Sequence, residues 1–400
     1  MKKKILLGLF SVIVIYIVTY YMNYTYITDN NVPIIKIYLK DTNIDYINTH
    51  SKEKKYYNNK IEIYNSGKKE FASTITIKGR GNSTWKLDKK PYQITFNEKE
   101  SILGFIKSKK YVLLANHSDP SLLKNDFSYS IAKDMKLNYS FTGKYIDLYV
   151  DDKYIGNYYI TPKIGLNKST VNIKNKNAIL MELDNTYYKE EKEVFKTKLF
   201  EDHLVLKDSN SKKPKEDMKI FEDKYNKMEE AISNKDYNSL KELIDIDSFA
   251  KYYIISEFSK NFDSIHSSLF LYMNGHNDKI HIGPIWDCDL AYGHKPEYYD
   301  TNGFPIKEYD FPTDEGYSTL FYNLLKINEF EEKVKEIWKE VGRKSYKKEI
   351  KLLNTKIEKL TKSGDYNNEH WKRVKFSAAS ERLVEWIERR YRLFNKYMEE

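Results

Sequence analysis

The hydrophobic period of this 400-residue chain changes near Pro214, and that change limits what it can fold into. Before it, apolar residues recur mostly at every second position. Ile34–Leu39 and Phe71–Ile77 alternate, and Pro91–Phe96 and Tyr111–Leu114 are short β-rich runs. Ile146–Val150 and Tyr154–Ile160 flank Asp151-Asp152-Lys153 as the arms of a hairpin, and Ile179–Leu183 and Leu204–Leu206 continue the pattern. One helix is expected in this half, over Ser121–Met135, starting after Pro120. Beyond Pro214 the spacing turns helical over Glu216–Ser233, Tyr237–Ile244 and Ile246–Lys260, and again from Ser318 to a final helix at Ser377–Tyr397. A hairpin of Leu269–Met273 and Lys279–Ile282, turning at Asn274-Gly275, interrupts it. The pattern predicts an α+β chain of two lobes, about 30–210 and 214–400, with a cleft between them. Lys52–Lys60 and Lys207–Asp217 read as mobile loops.

Composition removes several alternatives. Cys288 is the single cysteine, so no intramolecular disulfide and no multi-cysteine zinc site can support the fold. A hydrophobic content of 40% with 19 Phe can supply a core instead. The net charge of +9 comes from lysines interleaved with acids, which describes a solvated surface rather than a nucleic-acid footprint, and no nucleic-acid partner is expected. At the N-terminus, Lys2, Lys3 and Lys4 precede an uncharged apolar run from Ile5 to about Tyr21, with no small-x-small cleavage site after Thr19. Residues 1–22 are therefore expected to form an uncleaved transmembrane anchor, with 23–400 outside the cytoplasm.

The densest chemistry lies in Gly283–Gly293, GPIWDCDLAYG. Asp287 and Asp289 follow an apolar run and a Pro, and in an extended backbone residues two apart point the same way, so both carboxylates can meet on one cation. For an arbitrary D-x-D, capping of the next turn is the commoner role. Here the flanking strand, the indole of Trp286 and the motifs upstream favour a metal. In Ile77–Phe96, Gly79, Gly81 and Asn82 permit an unusual backbone path beside Arg80, Lys89 and Lys90, a combination that can hold phosphate oxygens. Taken alone it is better explained by an ordinary connecting turn with solvated basic side chains. Asn116, His117 and Asp119 form a polar knot between a strand and a helix, where Asp119 can simply cap. Asp263 sits between a helix end and a strand, a place suited equally to a turn acid and to a general base.

A basic glycine turn, then an acid in a loop, then paired acids about two dozen residues later is the order of parts in kinase-type phosphoryl transfer. The usual kinase signatures G-x-G-x-x-G, H-R-D and D-F-G are absent. Five segments nevertheless occur in register: RGNSTWKLDKKPYQITF, LLANHSDPSLLKNDFSYSIA, LYVDDKYIGNYYITPKI, LMELDN and GPIWDCDLAYG. Together they closely resemble the CotH family, spore-coat-type proteins with an atypical protein-kinase-like fold. The resemblance runs from about Ile34 to Tyr292.

That resemblance implies a two-lobed protein-kinase-like domain over 23–400 that transfers the γ-phosphoryl of ATP, with Mg²⁺ or Mn²⁺, to a protein Ser/Thr hydroxyl. The acceptor it implies is a spore-coat or cell-surface protein. Asp263 would orient the acceptor hydroxyl. Asp287, Asp289 and Ser268 would hold metal, and Arg80 with Lys89 or Lys90 would contact phosphates. Trp286 and Tyr158 would sandwich the adenine, against an ordinary role in the core for each. Two departures favour a rival reading, a surface scaffold that has lost turnover. Thr161-Pro162-Lys163 lacks the family's acid between threonine and lysine, and Ser268 stands where a kinase loop carries a metal-binding Asn. A carbohydrate-modifying enzyme using the same carboxylates is the weaker third reading, because no well-placed Glu pair is present.

Overall fold

Closing the front of the molecule takes seven strands, β1 (Ile34–Tyr38), β2 (Tyr56–Asn65), β3 (Lys68–Gly79), β4 (Tyr92–Glu100), β5 (Ser108–Leu114), β6 (Lys144–Val150) and β7 (Lys153–Pro162). In the computed structural model, which describes residues 31–294, 300–309 and 316–399, they form a barrel in the order β1-β2-β3-β4-β5-β7-β6. The seam is a parallel pairing of β1 with β6, and Ile35 lies opposite both Ile63 and Leu148, Ile37 opposite Ile61 and Val150. Alternating residues of a closed sheet point inward, and Ile35, Ile37, Ile61, Ile75, Ile94 and Leu148 accordingly fill the interior. Residues 52–60 do not form one mobile loop, because β2 begins at Tyr56. A bulge between Tyr56 and Asn59 breaks its alternation. Asn59 is turned inward there, donating to Tyr56 O at 2.7 Å and accepting from Lys40 N at 3.0 Å.

A second sheet has the order β12-β11-β8-β10-β9, built from β8 (Ile179–Leu183), β9 (Val194–Lys196), β10 (His203–Ser209), β11 (Leu269–Met273) and β12 (His281–Ile282). β8 and β11 are buried along their whole length, which is why they read as continuous apolar runs. The loop expected over 207–217 is short, since β10 runs to Ser209 and a helix starts at Pro214.

The helices are α1 (Ile44–Thr49), α2 (Lys124–Asp134), α3 (Pro214–Ser233), α4 (Tyr237–Leu243), α5 (Ile246–Ser259), α6 (Pro305–Glu308), α7 (Leu320–Leu324), α8 (Asn328–Ile337), α9 (Arg343–His370) and α10 (Phe376–Glu399). Asp236 and Asp245 cap α4 and α5, accepting from Ser239 N at 3.1 Å and Ser248 N at 2.8 Å. α2 starts three residues later than expected because Asp119 accepts from Ser121 N and Lys124 N and holds 119–123 as a turn. The outer barrel residues Val112, Leu114 and Tyr159 join α2, the second sheet and the rear helices in one large core, separate from the barrel interior.

The α+β class and its β-rich-to-helical order hold, with a closed barrel at the front that the expected two-lobed arrangement did not contain. The expected transmembrane anchor is not supported. No helix among the described residues is long and apolar enough to cross a membrane, and the segment 1–22 lies outside them. The membrane partner and the extracytoplasmic placement rested on that anchor and are likewise not supported.

Candidate functional site

The 283–293 loop is fastened from three sides. Gly283 N donates to Phe270 O and Tyr292 N to Ser259 O, both at 2.8 Å. Cys288 N donates to Asn125 Oδ1 at 2.8 Å, and the Tyr292 hydroxyl meets Ser128 Oγ at 2.7 Å. From the end of α5, Asn261 Nδ2 reaches Asp287 O at 3.3 Å. The pair is not on a strand as expected. Asp287 adopts φ 57, in the left-handed region that costs a non-glycine residue energy. The two carboxylates converge all the same, close enough for each to shift the proton affinity of the other.

Burial raises the carboxyl of Asp287, opposed by the Arg80 guanidinium. Burial raises Asp289 further, reinforced by the charges of Asp287 and Asp263 and opposed by Lys124. Three acids therefore repel one another at one place, with cations from two other elements facing them. Arg80, at the end of β3, lies 5.5 Å from the Trp286 ring and senses both Asp287 and Glu182. Glu182 of β8 pairs with Lys207 of β10 at 2.7 Å. Burial works against the Lys207 ammonium, but Glu182 and Glu191 hold it at about 12. Lys163, just beyond β7, is pushed down to about 8 by the dense protein around it and then by Lys110, Arg80, Lys78 and Lys207. Its side chain still reaches solvent, and Arg80, Asp263 and Asp287 are each only half-buried. Deep placement with solvent access describes the floor of a cleft, where a charged ligand can displace water.

A family model described as CotH kinase protein matches residues 77–394. The chain belongs to the CotH family. No curated protein matches it. Within this CotH chain Asp263, Asp287, Asp289 and Arg80 come together, and Trp286 stands beside them. Its ring is already engaged, stacked on Tyr129 at 5.9 Å and against Phe141 at 6.2 Å. Ser268, at φ 58, precedes β11 five residues after Asp263.

Lys89, Lys90 and Tyr158 lie elsewhere. The Lys89 ammonium crosses to α9, donating to Asn157 O and, at 2.8 Å, to Asn367 Oδ1. Lys90 is taken up by the carbonyls of Trp85 at 2.8 Å and Leu87 at 3.1 Å. Tyr158 is fully buried in the barrel core with its hydroxyl on Lys90 O, so it has no free face for a purine. Lys163, Glu182 and Lys207 are the site residues that the sequence reading left without a firm role. Lys163 belongs to the quoted hairpin motif and Glu182 to LMELDN, whereas nothing local marks Lys207. Cavities of about 550 Å³ beside Tyr46 and Tyr57 and about 290 Å³ beside His370 and Trp371 lie away from the acids. Their linings offer no comparable gathering of carboxylates.

Among the described residues no three His, Cys, Asp or Glu side chains form a set able to hold a metal by themselves. Two carboxylates forced together do fit a smaller demand. Magnesium sites at nucleotides commonly use one or two carboxylates, with phosphate and water completing the shell. The buried Oδ1 of Asn261 next to Asp287 has no hydrogen-bond partner, which adds an unused donor atom there.

Proposed function

We propose that this CotH protein is a phosphotransferase of two-lobed, kinase-like arrangement that moves the γ-phosphoryl of ATP to a protein Ser or Thr hydroxyl, in a spore-coat or cell-surface protein. The convergence of Asp263, Asp287 and Asp289 opposite Arg80 carries this reading. A bond forms between the acceptor oxygen and Pγ while the bond from Pγ to the bridging oxygen breaks, leaving ADP. Asp263 lies in a loop between α5 and β11 and takes the proton from the acceptor hydroxyl. Arg80, with Lys163 and Lys207, faces the phosphate oxygens and stabilises charge that grows on them. Asp287 and Asp289 would hold Mg²⁺ or Mn²⁺, which when bound neutralises phosphate charge. Without it, the raised proton affinity of the pair relieves only the repulsion between the two carboxylates.

The test is nucleotide-dependent stabilisation of the protein followed by a transfer assay. ATP with Mg²⁺ is expected to raise the melting temperature. Asp287→Asn is expected to lose the metal-dependent part of that rise, and Asp263→Asn to keep it while losing transfer. Equal ATP·Mg²⁺ binding by Asp287→Asn and the parent would overturn the metal assignment. Nucleotide binding with no transfer by the parent would identify a scaffold.

A further inference from the structure

The loop from Asp263 to Ser268 curls on itself, with His266 N at 3.0 Å and Ser267 N at 2.8 Å both donating to Asp263 O. Its outer rim presents two consecutive carbonyls, and each is held by a different part of the chain. Ser318 N donates to Ile265 O and Asn185 N to His266 O, both at 2.9 Å. Asn185 follows β8 and Ser318 precedes α7, so the two donors are far apart in sequence. Their side chains nevertheless meet on one carboxylate. Asn185 Nδ2 donates to Asp202 Oδ1 at 3.0 Å, and Ser318 Oγ donates to Asp202 Oδ2 at 2.7 Å. The same amide of Asn185 also reaches Gly316 O at 2.9 Å, while its Oδ1 accepts from His203 N at 2.7 Å. Asp202 is fixed in turn by Thr197, through Asp202 N to Thr197 Oγ1 at 3.0 Å and Thr197 N to Asp202 O at 2.8 Å. At 1% exposure Asp202 touches no reactant.

Resting on the phosphotransfer reading, we propose that Asp202 is a positioning residue whose carboxylate closes an Asn185–Asp202–Ser318 bracket around the loop that presents Asp263. Burying a carboxylate is costly unless donors satisfy it, and both of its donors here belong to residues that grip the loop. The bracket ends two and three residues from Asp263, so its loss shifts that carboxylate without opening the large core. Misplacing a reacting group by about 1 Å costs on the order of 100-fold in rate.

Ser318→Ala and Asp202→Asn in the full chain test this by amide hydrogen exchange over 263–268 and by steady-state transfer. Ser318→Ala removes one arm of the bracket and decides the matter even where Asp202→Asn fails to fold. The expected result is exchange roughly tenfold faster in the loop, the size of one lost hydrogen bond. The turnover number should fall by at least about tenfold, with the KM for ATP within about twofold because Asp202 does not touch nucleotide. Unchanged loop exchange in Ser318→Ala, or a raised KM at constant turnover, overturns the proposal. A parent protein without transfer sinks the phosphotransfer reading instead, and the exchange measurement still decides whether the bracket holds the loop.

Discussion

Two polar clusters border the barrel, with similar side chains and opposite characters. At the cleft, Arg80 faces Asp287 and Glu182, Asp287 and Asp263 crowd Asp289, and Lys163 is crowded by Arg80 and Lys207, so like charges are held together. At the rear, Lys89, Asn157, Asn367, Ser363 and Asp147 link the barrel to α9. Ser363 Oγ donates to Asp147 Oδ1 at 2.6 Å, Asn157 Nδ2 to Ser363 Oγ at 2.8 Å and Asn157 N to Asn367 Oδ1 at 2.9 Å. Asn157 Oδ1 is left without a partner, but the hydrogen-bonding capacity of the cluster is otherwise turned on itself and sealed. A lysine therefore signals function here only through what surrounds it. Lys89 is as buried and as displaced in pKa as a catalytic group, yet it donates to Asn157 and Asn367 and so serves structure. The cleft instead keeps charge in excess and open to solvent.

On that contrast, substitutions in the two clusters have opposite consequences. The largest effect belongs to Asp263→Asn, which should lower transfer by about 10²–10⁴-fold, the usual weight of a general base, with the melting temperature at or above the parent's. Next comes Asn367→Ala at the rear. It strands Asn157 N and takes one of two acceptors from the Lys89 ammonium, and should cost about 2–3 kcal/mol in denaturant unfolding while transfer per folded molecule stays unchanged. A smaller effect of reversed sign is expected from Asp289→Asn, which relieves repulsion from Asp287 and Asp263. In metal-free buffer it should stabilise the protein by about 1 kcal/mol, the trade of stability for activity common at active sites. If Asp289→Asn destabilises as Asn367→Ala does, the cleft acids are structural and the contrast fails.

Much of this was legible in the sequence where the period is local. Ile179–Leu183 and Leu269–Met273 have the bounds read from their apolar runs, and the barrel strands from β3 to β7 overlap the runs that alternate. The order of motifs also brought Asp263, Asp287 and Arg80 into consideration together. Three things were not legible, each for a physical reason. β2 is broken by its bulge at Asn59, so its alternation is lost where it begins. Barrel closure depends on the parallel β1–β6 seam, a pairing more than a hundred residues apart that no local pattern encodes. The choice among cations is a matter of direction. Lys89 and Lys90 adjoin the glycine turn in sequence, but one is sent to α9 and the other folds back on the carbonyls of its own turn. Lys163 and Lys207 reach the cleft from β7 and β10.

The last prediction separates the two clusters by pH. Burial pushes the Lys89 ammonium down to about 7, whereas in an unfolded chain lysine holds its proton to about 10.4. Between those values the unfolded state binds more protons than the folded one, so stability rises with pH across that window and is flat in this term below it. One group can contribute a slope of at most about 1.4 kcal/mol per pH unit. Lys89→Met removes it, whatever constant offset the lost hydrogen bonds add. Unfolding free energies of parent and variant measured from pH 6 to 9.5 should therefore run parallel up to about pH 7 and diverge above it. Lys163 and Lys260, both lowered to about 8, tilt the two curves equally and drop out of the difference. Parallel curves over the whole range would mean that Lys89 stays charged inside the fold. The rear would then hold an uncompensated charge of the kind assigned here to the cleft alone.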